Sequence, residues 1–435
     1  MKKKSIKPAK LSKKTGKQLN PRLLLPEHIY VAVGRELNIW KDAVALMPEG
    51  YTGVQINFSC EVGLSKKRGF RFKPGTPGEY PLTVTVDDLN GKNLQTKNTV
   101  ISAVRNNSGS GTKNLLFIGD SLFGGGQIAA EVRSLIIAGG GFTPMLIGTL
   151  GSDPVRHEGR GGWRFDDYGT KGRKFFRFEI TGIKAPFTRN SVFLHNGFEF
   201  FVYEINITGP AGYISCVSSS AQAEARPSGI LSKHAGQGDK EVAFHRCQVT
   251  TFNPFWNDEK QCHDFQSYMA NNNFPGSLDF VFIELGNNDI GLGADHASVK
   301  KIIRYAKSLI AAILSAKTGF PQAKIILGIP PAGSSQDGFG TNYGTSINVE
   351  QTKKNIRMLS EAMVATFDKG AFSNNVHLSA NILWVDRYYG YPRTAVRASD
   401  REETLIEEHT NAVHPSLSGY QQMADAFYSA MRSFL

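Results

Sequence analysis

The sequence predicts an α/β protein, in which a mostly parallel sheet carries helices on both faces and follows a small all-β domain. From residue 113 onward, short apolar runs alternate with amphipathic helical stretches. Residues 27–104 instead show short alternating runs separated by glycine and polar turns, and residues 172–249 show strand patterns without a helical period. We therefore expect units of different architecture within one chain.

The composition is that of ordinary globular domains, with 40% hydrophobic, 20% charged and 11% aromatic residues. A chain of 435 residues is long enough for two or three domains. No continuous apolar run reaches the length of a membrane-spanning segment, so we expect no membrane span. The sequence leaves the oligomeric state open.

The net charge of +12 is concentrated at the N-terminus. Residues 1–22 contain eight lysines and one arginine without an acid, which leaves +3 for the remaining 413 residues. Such a segment is typical of a flexible basic tail. No basic-aromatic reader motif accompanies it, so we expect no specific nucleic-acid partner. The following apolar run, Leu23–Leu25, is too short for a secretory signal peptide. The sequence leaves the cellular compartment open, and an extracellular or virion-associated role is one of the alternatives.

The four cysteines, Cys60, Cys216, Cys247 and Cys262, lack a Cys-x-x-Cys spacing. A metal site from Cys247, Cys262 and His263 is conceivable, but isolated buried thiols are the simpler expectation. The sequence therefore predicts neither a metal nor a cofactor.

Residues 27–104 predict a β-domain. Its closing part is the clearest: Leu82, Val84 and Val86 alternate with threonines before Asn90-Gly91, a pair that favours a hairpin turn. This closing hairpin resembles that of immunoglobulin-like β-sandwiches, a likeness of fold that carries no function. The composition of residues 105–112 is that of a flexible linker. Earlier predicted strands are Ile29–Val33, Leu37–Trp40 and Val54–Phe58.

The alternation after residue 113 predicts the parallel sheet. Predicted strands are 114–118, Pro144–Gly148, Leu278–Leu285, Lys324–Ile329 and Ile382–Val385. Predicted helices cover 299–314, 349–367 and the segment from Ser416 to the terminus, each with one apolar face. The interruption at 172–249 contains the hairpin signal Asn196-Gly197 and is expected to be a small inserted β-subdomain beside the sheet edge.

A serine follows the carboxyl end of the first predicted strand of the parallel sheet. The strand 114–118 runs directly into Gly119-Asp120-Ser121, and a glycine-rich turn and a helix follow. Ligands bind at the carboxyl ends of strands in open α/β sheets. Ser121 is therefore a candidate nucleophile, which needs a base and donors for the oxyanion that develops.

The chain offers each of these groups at a further loop. His414 precedes the final helix, Asn288 follows the most apolar strand, and Gly159 follows the second strand with a free backbone N–H expected. Each feature alone is common in turns and helix entries. Their joint occurrence in this order favours one catalytic site.

These blocks resemble those of GDSL esterases of the SGNH-hydrolase superfamily, over roughly 113–435 without the insertion. The matching residues are Gly119-Asp120-Ser121-Leu122, Gly159, Gly286-Asn287-Asn288-Asp289 and His414. The resemblance implies a flavodoxin-like three-layer α/β/α fold without a metal. It also implies that Ser121 is the nucleophile and His414 the general base. Ser121 N–H, Gly159 N–H and the Asn288 side chain would then form the oxyanion hole.

The sequence departs from the family at one position. The acid of the family lies three residues before the histidine, where this chain has Asn411. An amide can still accept the imidazole N–H, as in Cys-His-Asn proteases, but it supplies no charge. Either Asn411 orients a Ser121–His414 dyad, or Glu407, Glu408 or Asp386 supplies the acid.

The function expected from this resemblance is ester hydrolysis through an acyl-enzyme. Removal of O-acetyl groups from a carbohydrate is favoured, because SGNH relatives with appended β-domains often act on acetylated glycans. The aromatic stretch Asn253–Asn257, near Phe265 and Tyr268, suggests a carbohydrate surface, with core packing as the alternative. A lipid or small-acyl esterase is the second expectation. A non-catalytic glycan-binding adhesin or virion-type protein on a hydrolase scaffold is the third, favoured by Asn411.

Overall fold

The computed structural model describes residues 22–46, 53–181, 191–208, 211–218, 223–233, 241–290, 295–344, 347–369, 372 and 374–435. The basic tail, apart from Arg22, lies outside the described residues. The described residues form two small N-terminal sheets, a larger sheet between helices, and a closed barrel. Within them, no helix is both long and apolar enough to span a membrane.

The N-terminal unit consists of two small sheets that share one core. The four-stranded sheet has the order β1-β7-β6-β3 and the three-stranded sheet the order β2-β5-β4. Rings from the two sheets meet where Phe58 packs against Phe70 at 5.9 Å and Phe72 against Tyr80 at 5.1 Å. An immunoglobulin-like topology stays a prediction. The elements are β1 (His28–Ala32), β2 (Leu37–Trp40), α1 (Lys41–Val44), β3 (Val54–Ser59), β4 (Leu64–Ser65), β5 (Gly69–Phe72), β6 (Gly78–Asp88) and β7 (Asn93–Val104).

The central sheet has the order β10-β11-β8-β20-β21-β22, with β9 pairing the first half of β8. All its pairings are parallel except that of β10 with β11. Its strands are β8 (Thr112–Gly119), β9 (Thr143–Ile147), β10 (Leu150–Ser152), β11 (Val155–Gly159), β20 (Phe280–Glu284), β21 (Lys324–Gly328) and β22 (Val376–Ser379). The carboxyl ends of the parallel strands therefore lie at one edge.

Helices cover both faces of this sheet. Leu116 and Ile118 of β8 belong to the core beneath α6 and α8, whereas Leu115 and Phe117 belong to the core beneath α3 and α10. Successive residues of a strand point to opposite faces, so this division shows that helices pack against both faces of the sheet. The helices are α2 (Ser121–Gly124), α3 (Gln127–Gly139), α4 (Phe165–Gly169), α5 (Phe265–Asn271), α6 (His296–Ile313), α7 (Gln336–Tyr343), α8 (Val349–Phe367), α9 (Asn381–Trp384) and α10 (Leu417–Arg432).

The inserted segment forms a closed barrel with the strand order β12-β15-β14-β13-β16-β17. Its interior is filled by apolar side chains, among them Phe178, Phe193 and Phe200. The hairpin signal Asn196-Gly197 forms the turn between β13 and β14, with positive φ angles of 53° and 79°. The strands are β12 (Arg173–Thr181), β13 (Val192–His195), β14 (Phe198–Thr208), β15 (Ala211–Ser218), β16 (Gly229–Lys233) and β17 (Glu241–Phe252).

The remaining strands form two separate hairpins. They are β18 (Trp256–Asn257) with β19 (Cys262–His263), and β23 (Arg393–Ser399) with β24 (Glu402–His409). The prediction of a strand over Ile382–Val385 is wrong, because these residues belong to α9 and its C-cap. The last strand of the central sheet along the chain is β22. All four residues of α9 are buried, and a short apolar run that is buried all round has no period that separates helix from strand.

Apolar packing and polar contacts attach the N-terminal unit to the α/β part. Trp40 Nε1 donates to the Trp384 carbonyl at 2.9 Å, and the Ala32 N–H donates to Ser429 Oγ at 3.0 Å. Arg68 forms a bidentate ion pair with the buried carboxylate of Asp386. These contacts hold the N-terminal unit against α9 and α10.

Candidate active site

Ser121 lies at the carboxyl edge of the central sheet. Strand β8 ends at Gly119, and Asp120 caps α2 by accepting the Leu122 N–H at 2.9 Å. A Cβ at Gly119 would lie 2.7 Å from the Glu284 carbonyl oxygen of the neighbouring strand. The glycine thus allows the close strand approach, and the turn that follows places Ser121 at the start of a helix.

His414 contacts Ser121 directly. It lies in the loop before α10, and its Nε2 is 2.8 Å from Ser121 Oγ. Both residues are partly buried. Burial lowers the pKa of His414 from its ordinary value of 6.5, so the imidazole is neutral at pH 7 and able to accept a proton. The structure therefore brings the predicted nucleophile and the predicted base together.

The other imidazole nitrogen contacts a residue that the sequence did not indicate. Tyr343 OH at the end of α7 is 2.9 Å from His414 Nδ1 and donates to Asn411 Oδ1 at 3.1 Å. The same Asn411 oxygen accepts the backbone N–H groups of Val413 and His414 at 3.0 and 2.8 Å. Tyr343 therefore lies between Asn411 and the imidazole, and the orienting role of Asn411 stays a prediction.

The alternative acids do not contact His414. Asp386 is paired with Arg68 and accepts the N–H groups of two following residues. Glu407 pairs with Arg393 across the hairpin β23–β24, where Glu408 lies opposite Thr394. None of these three carboxyl groups occupies the position of a triad acid.

Two of the three predicted oxyanion donors, Asn288 and Gly159, already have acceptors. Asn288 Nδ2 donates to Asp120 Oδ2 at 2.9 Å and to the Trp163 carbonyl at 3.3 Å. The Gly159 N–H donates to His157 Nδ1 at 3.1 Å. The roles of Asn288 and Gly159 in an oxyanion hole therefore stay predictions, and each donor would have to exchange partners in the transition state.

Two glycines place the β11 loop against α2. A Cβ at Gly159 would lie 2.5 Å from the Phe123 carbonyl carbon, so only glycine permits this approach. Gly161 lies in the same loop, close to α2, because a Cβ built on Gly124 would lie 3.9 Å from its nitrogen. Among the described residues, the Gly161 N–H has no acceptor. Gly161 is thus a further donor candidate, which sequence spacing alone did not single out.

Two buried carboxyl groups lie beneath the serine. Burial raises the pKa of Asp120 to about 7, although the Leu122 N–H and the Asn288 amide stabilise its carboxylate. Burial also raises the pKa of Glu284 well above its ordinary value, with the neighbouring charge of Asp120 as a second cause. Glu284 Oε2 accepts a hydrogen bond from Asn381 at 2.6 Å. The Asp120 carboxyl therefore takes up a proton as the pH falls through about 7, and Glu284 is protonated more readily than an exposed glutamate.

Replacement of Asp120 by asparagine is expected to change how stability depends on pH. The pKa of Asp120 is raised from 3.8 to about 7, so its protonated form stabilises the folded state. This contribution is fully present below pH 3.8 and is lost as the pH rises through 7, by about 1.4 kcal/mol per pH unit. Between these pH values, the unfolding free energy of the parent should fall relative to that of Asp120→Asn.

Urea unfolding of both proteins between pH 4 and pH 8 measures this difference. Asp153→Asn is the matched control, because Asp153 is exposed and its pKa is lowered by Arg156. A constant difference between parent and Asp120→Asn over this range would contradict the raised pKa of Asp120.

The aromatic stretch Asn253–Asn257 is packed in the core only in part. Phe255 stacks on Phe265 at 4.4 Å and contacts Tyr268 at 4.8 Å, and all three side chains are buried. Core packing is therefore confirmed for these three rings, whereas Trp256 is only partly buried and a carbohydrate contact there stays a prediction. Apolar rings that meet neighbours of their own kind are removed from water instead of presented to a ligand.

The cysteines are free thiols in this structure. His263 contacts the Tyr168 carbonyl at 2.7 Å through Nε2. Over the described part of the chain, no group of three or more His, Cys, Asp or Glu side chains is arranged to hold a metal ion.

No family model and no curated protein matches this chain. Several solved structures show similarity, among them Est24 and SGBP-B. Est24, a carbohydrate acetylesterase from Sinorhizobium meliloti, is 13% identical with a TM-score of 0.32, over 74% of this chain and 100% of that chain. SGBP-B of the Bacteroides ovatus mixed-linkage glucan utilization locus, in complex with a mixed-linkage heptasaccharide, is 8% identical with a TM-score of 0.15, over 51% of this chain and 43% of that chain. Both TM-scores are low, so we base no functional conclusion on either similarity.

Proposed function

We propose that this protein is a serine ester hydrolase of the SGNH/GDSL type, with a flavodoxin-like α/β/α layer arrangement. The observation that supports this most is the contact of 2.8 Å between Ser121 Oγ and His414 Nε2 at the carboxyl edge of the sheet. A serine nucleophile requires a base within hydrogen-bond reach, and a partly buried neutral imidazole is suited to that role.

In the proposed reaction, Ser121 Oγ attacks the ester carbonyl carbon while His414 Nε2 accepts the hydroxyl proton. The carbon–oxygen bond to the alcohol then breaks, and His414 returns the proton to the leaving oxygen. Water repeats the two steps on the acyl-enzyme, which releases the acid and restores Ser121. The Ser121 N–H at the start of α2 is one donor for the oxyanion.

Esters are favoured over amides as substrates. Among the described residues, none places a carboxylate on His414 Nδ1, so the imidazolium that forms in each step has no direct counter-charge from them. A triad without its acid loses up to ~10⁴ in turnover. An ester alcohol leaves more readily than an amine, so the weaker dyad suffices for it.

The proposed substrate is an acetylated carbohydrate. The resemblance to GDSL esterases supports this, together with an exposed ring of the barrel that packs against Trp163, whose carbonyl accepts from Asn288. Phe252 at the end of β17 is 44% exposed and lies 6.2 Å from Trp163. Arg160 lies 5.0 and 5.3 Å from these two rings. Trp163 itself is buried, so Phe252 is the exposed ring of this pair, and an exposed ring beside a cation offers a sugar both stacking and hydrogen bonds.

Hydrolysis of p-nitrophenyl acetate and acetate release from acetylated polysaccharides test the proposal. The value of kcat/KM should rise with pH as His414 loses its proton, and the midpoint should lie below pH 6.5 because burial lowers the pKa of His414. His414→Gln should remove the pH dependence along with the activity. Turnover of long-chain esters alone would instead favour a lipid esterase, and turnover of p-nitrophenyl acetate without acetate release from polysaccharides would favour a small-acyl esterase.

A non-catalytic glycan-binding role is the alternative. The engaged oxyanion donors and the position of Asn411 favour it. Such a protein would bind acetylated glycans without turnover, and Ser121→Ala would bind them as the parent does. Measurement of binding and turnover on the same glycan separates the two functions.

A further inference from the structure

We propose that Tyr343, held by Asn411, is the positioning residue of His414 and stands where a triad acid would stand. This inference rests on the proposed hydrolase function. Tyr343 OH lies 2.9 Å from His414 Nδ1, and Ser121 Oγ lies 2.8 Å from His414 Nε2. The imidazole is thus held between two hydroxyl groups, and the direction of its hydrogen bonds decides which nitrogen is available as a base.

The hydrogen bonds of Asn411 determine which atoms donate and which accept along the chain Asn411–Tyr343–His414. Two backbone N–H groups, of Val413 and His414, donate to the Asn411 side chain, so the atom they meet is its carbonyl oxygen. An amide oxygen only accepts, and Tyr343 OH therefore donates to it. The tyrosine oxygen is then the acceptor of the His414 Nδ1–H. This leaves Nε2 without a proton, which is the tautomer that accepts the proton of Ser121.

Tyr343 stands on a rigid support. Helix α7 packs tightly against the histidine loop, where a Cβ at Gly338 would lie 2.7 Å from the Ala412 nitrogen. Phe339 and Ala412 are buried in a small core that Tyr343 also contacts. The Ser334 N–H donates to the Ala412 carbonyl at 3.0 Å. Packing on both sides therefore fixes the tyrosine hydroxyl relative to the imidazole.

The relay orients the imidazole without adding charge. Burial raises the pKa of Tyr343 above its ordinary value of 10.0, so its hydroxyl stays neutral at pH 7. Neither Tyr343 nor Asn411 thus supplies the negative charge with which an acid stabilises an imidazolium. The arrangement predicts a correctly oriented but only moderately activated serine.

Three variants separate the parts of this relay. Tyr343→Phe removes the acceptor of Nδ1–H and leaves the ring in place. Asn411→Asp keeps the acceptor for Tyr343 and adds a negative charge, which Tyr343 separates from the imidazole. Tyr203→Phe is the matched control, since Tyr203 is an exposed tyrosine on the barrel. Thermal unfolding of each variant shows whether its fold is retained.

The first measurement is ¹⁵N NMR of histidine-labelled protein at neutral pH, with His414→Gln for assignment. We expect His414 to carry its proton on Nδ1 in the parent and in Tyr203→Phe, and to become a mixture of tautomers in Tyr343→Phe. This readout does not depend on turnover. An unchanged tautomer in folded Tyr343→Phe would overturn the positioning role of Tyr343, even if the protein proved inactive on every ester.

The second measurement is the pH dependence of kcat/KM on p-nitrophenyl acetate. Tyr343→Phe should lower the plateau by ~10²-fold and shift the acid limb to lower pH, because the imidazolium loses an acceptor. Asn411→Asp should shift the limb to higher pH by roughly one unit, since an added charge favours the imidazolium. An active parent with neither shift would overturn the relay, whereas an inactive parent would overturn the hydrolase function itself.

Discussion

Ser121→Ala should lower kcat on p-nitrophenyl acetate by at least ~10³-fold, because the variant lacks the hydroxyl that attacks the ester. The His414 imidazole lies 2.8 Å from the lost hydroxyl, and Leu122 and the rest of α2 are held by Asp120 and not by Ser121. The fold should therefore be unchanged. Initial rates at saturating substrate, together with a thermal unfolding curve, measure both expectations.

Ser134→Ala is the matched control for this substitution. Ser134 is an exposed serine on α3 whose hydroxyl bonds only to the Ala130 carbonyl of its own helix. Its replacement should leave the rate unchanged. Equal rates for the parent and Ser121→Ala would mean that Ser121 is not the nucleophile and that any turnover comes from another group.

Gly328→Ala should strongly destabilise the folded protein. A Cβ at this last residue of β21 would lie 2.0 Å from Glu284 Oε2, 2.7 Å from Asn381 Nδ2 and 2.8 Å from Phe427 Cζ. Glu284, Asn381 and Phe427 are completely buried. The added methyl group would therefore break the hydrogen bond of Glu284 to Asn381 and overpack the core, at about 3 kcal/mol or more of unfolding free energy.

Chemical denaturation of parent and variant measures this loss, and Gly276→Ala provides the control. A Cβ at Gly276 would have no neighbour within 4 Å, and its backbone does not need the left-handed region. We expect its stability to change by less than ~0.5 kcal/mol. A stable Gly328→Ala would show that the Glu284–Asn381 contact is not closely packed.

The sequence predicted those parts of the fold whose signals are local. The helices expected over 299–314 and 349–367 are α6 (His296–Ile313) and α8 (Val349–Phe367), because each has one continuous apolar face. The turn at Asn196-Gly197 was predictable because two adjacent residues needed positive φ angles. Ser121 and His414 were predictable because each follows a strand or precedes a helix at the same sheet edge.

Features that depend on distant parts of the chain were not predictable in this way. Tyr343 lies 71 residues before His414, in a short helix without a motif, and only folding brings its hydroxyl to the imidazole. The backbone groups that turn Asn411 away from His414 are likewise invisible in a sequence pattern. The closure of the barrel depends on β12 pairing with both β15 and β17, strands that the chain reaches much later.

The reaction of Ser121 with a fluorophosphonate tests the central claim most directly, since such a probe labels only a serine that a base has activated. Mass spectrometry of the digested protein locates the adduct. We expect one adduct, on Ser121, that disappears in His414→Gln and persists in Ser134→Ala. A parent protein that stays unlabelled under conditions that label an active serine esterase would contradict the assignment of Ser121 and His414 as a catalytic dyad.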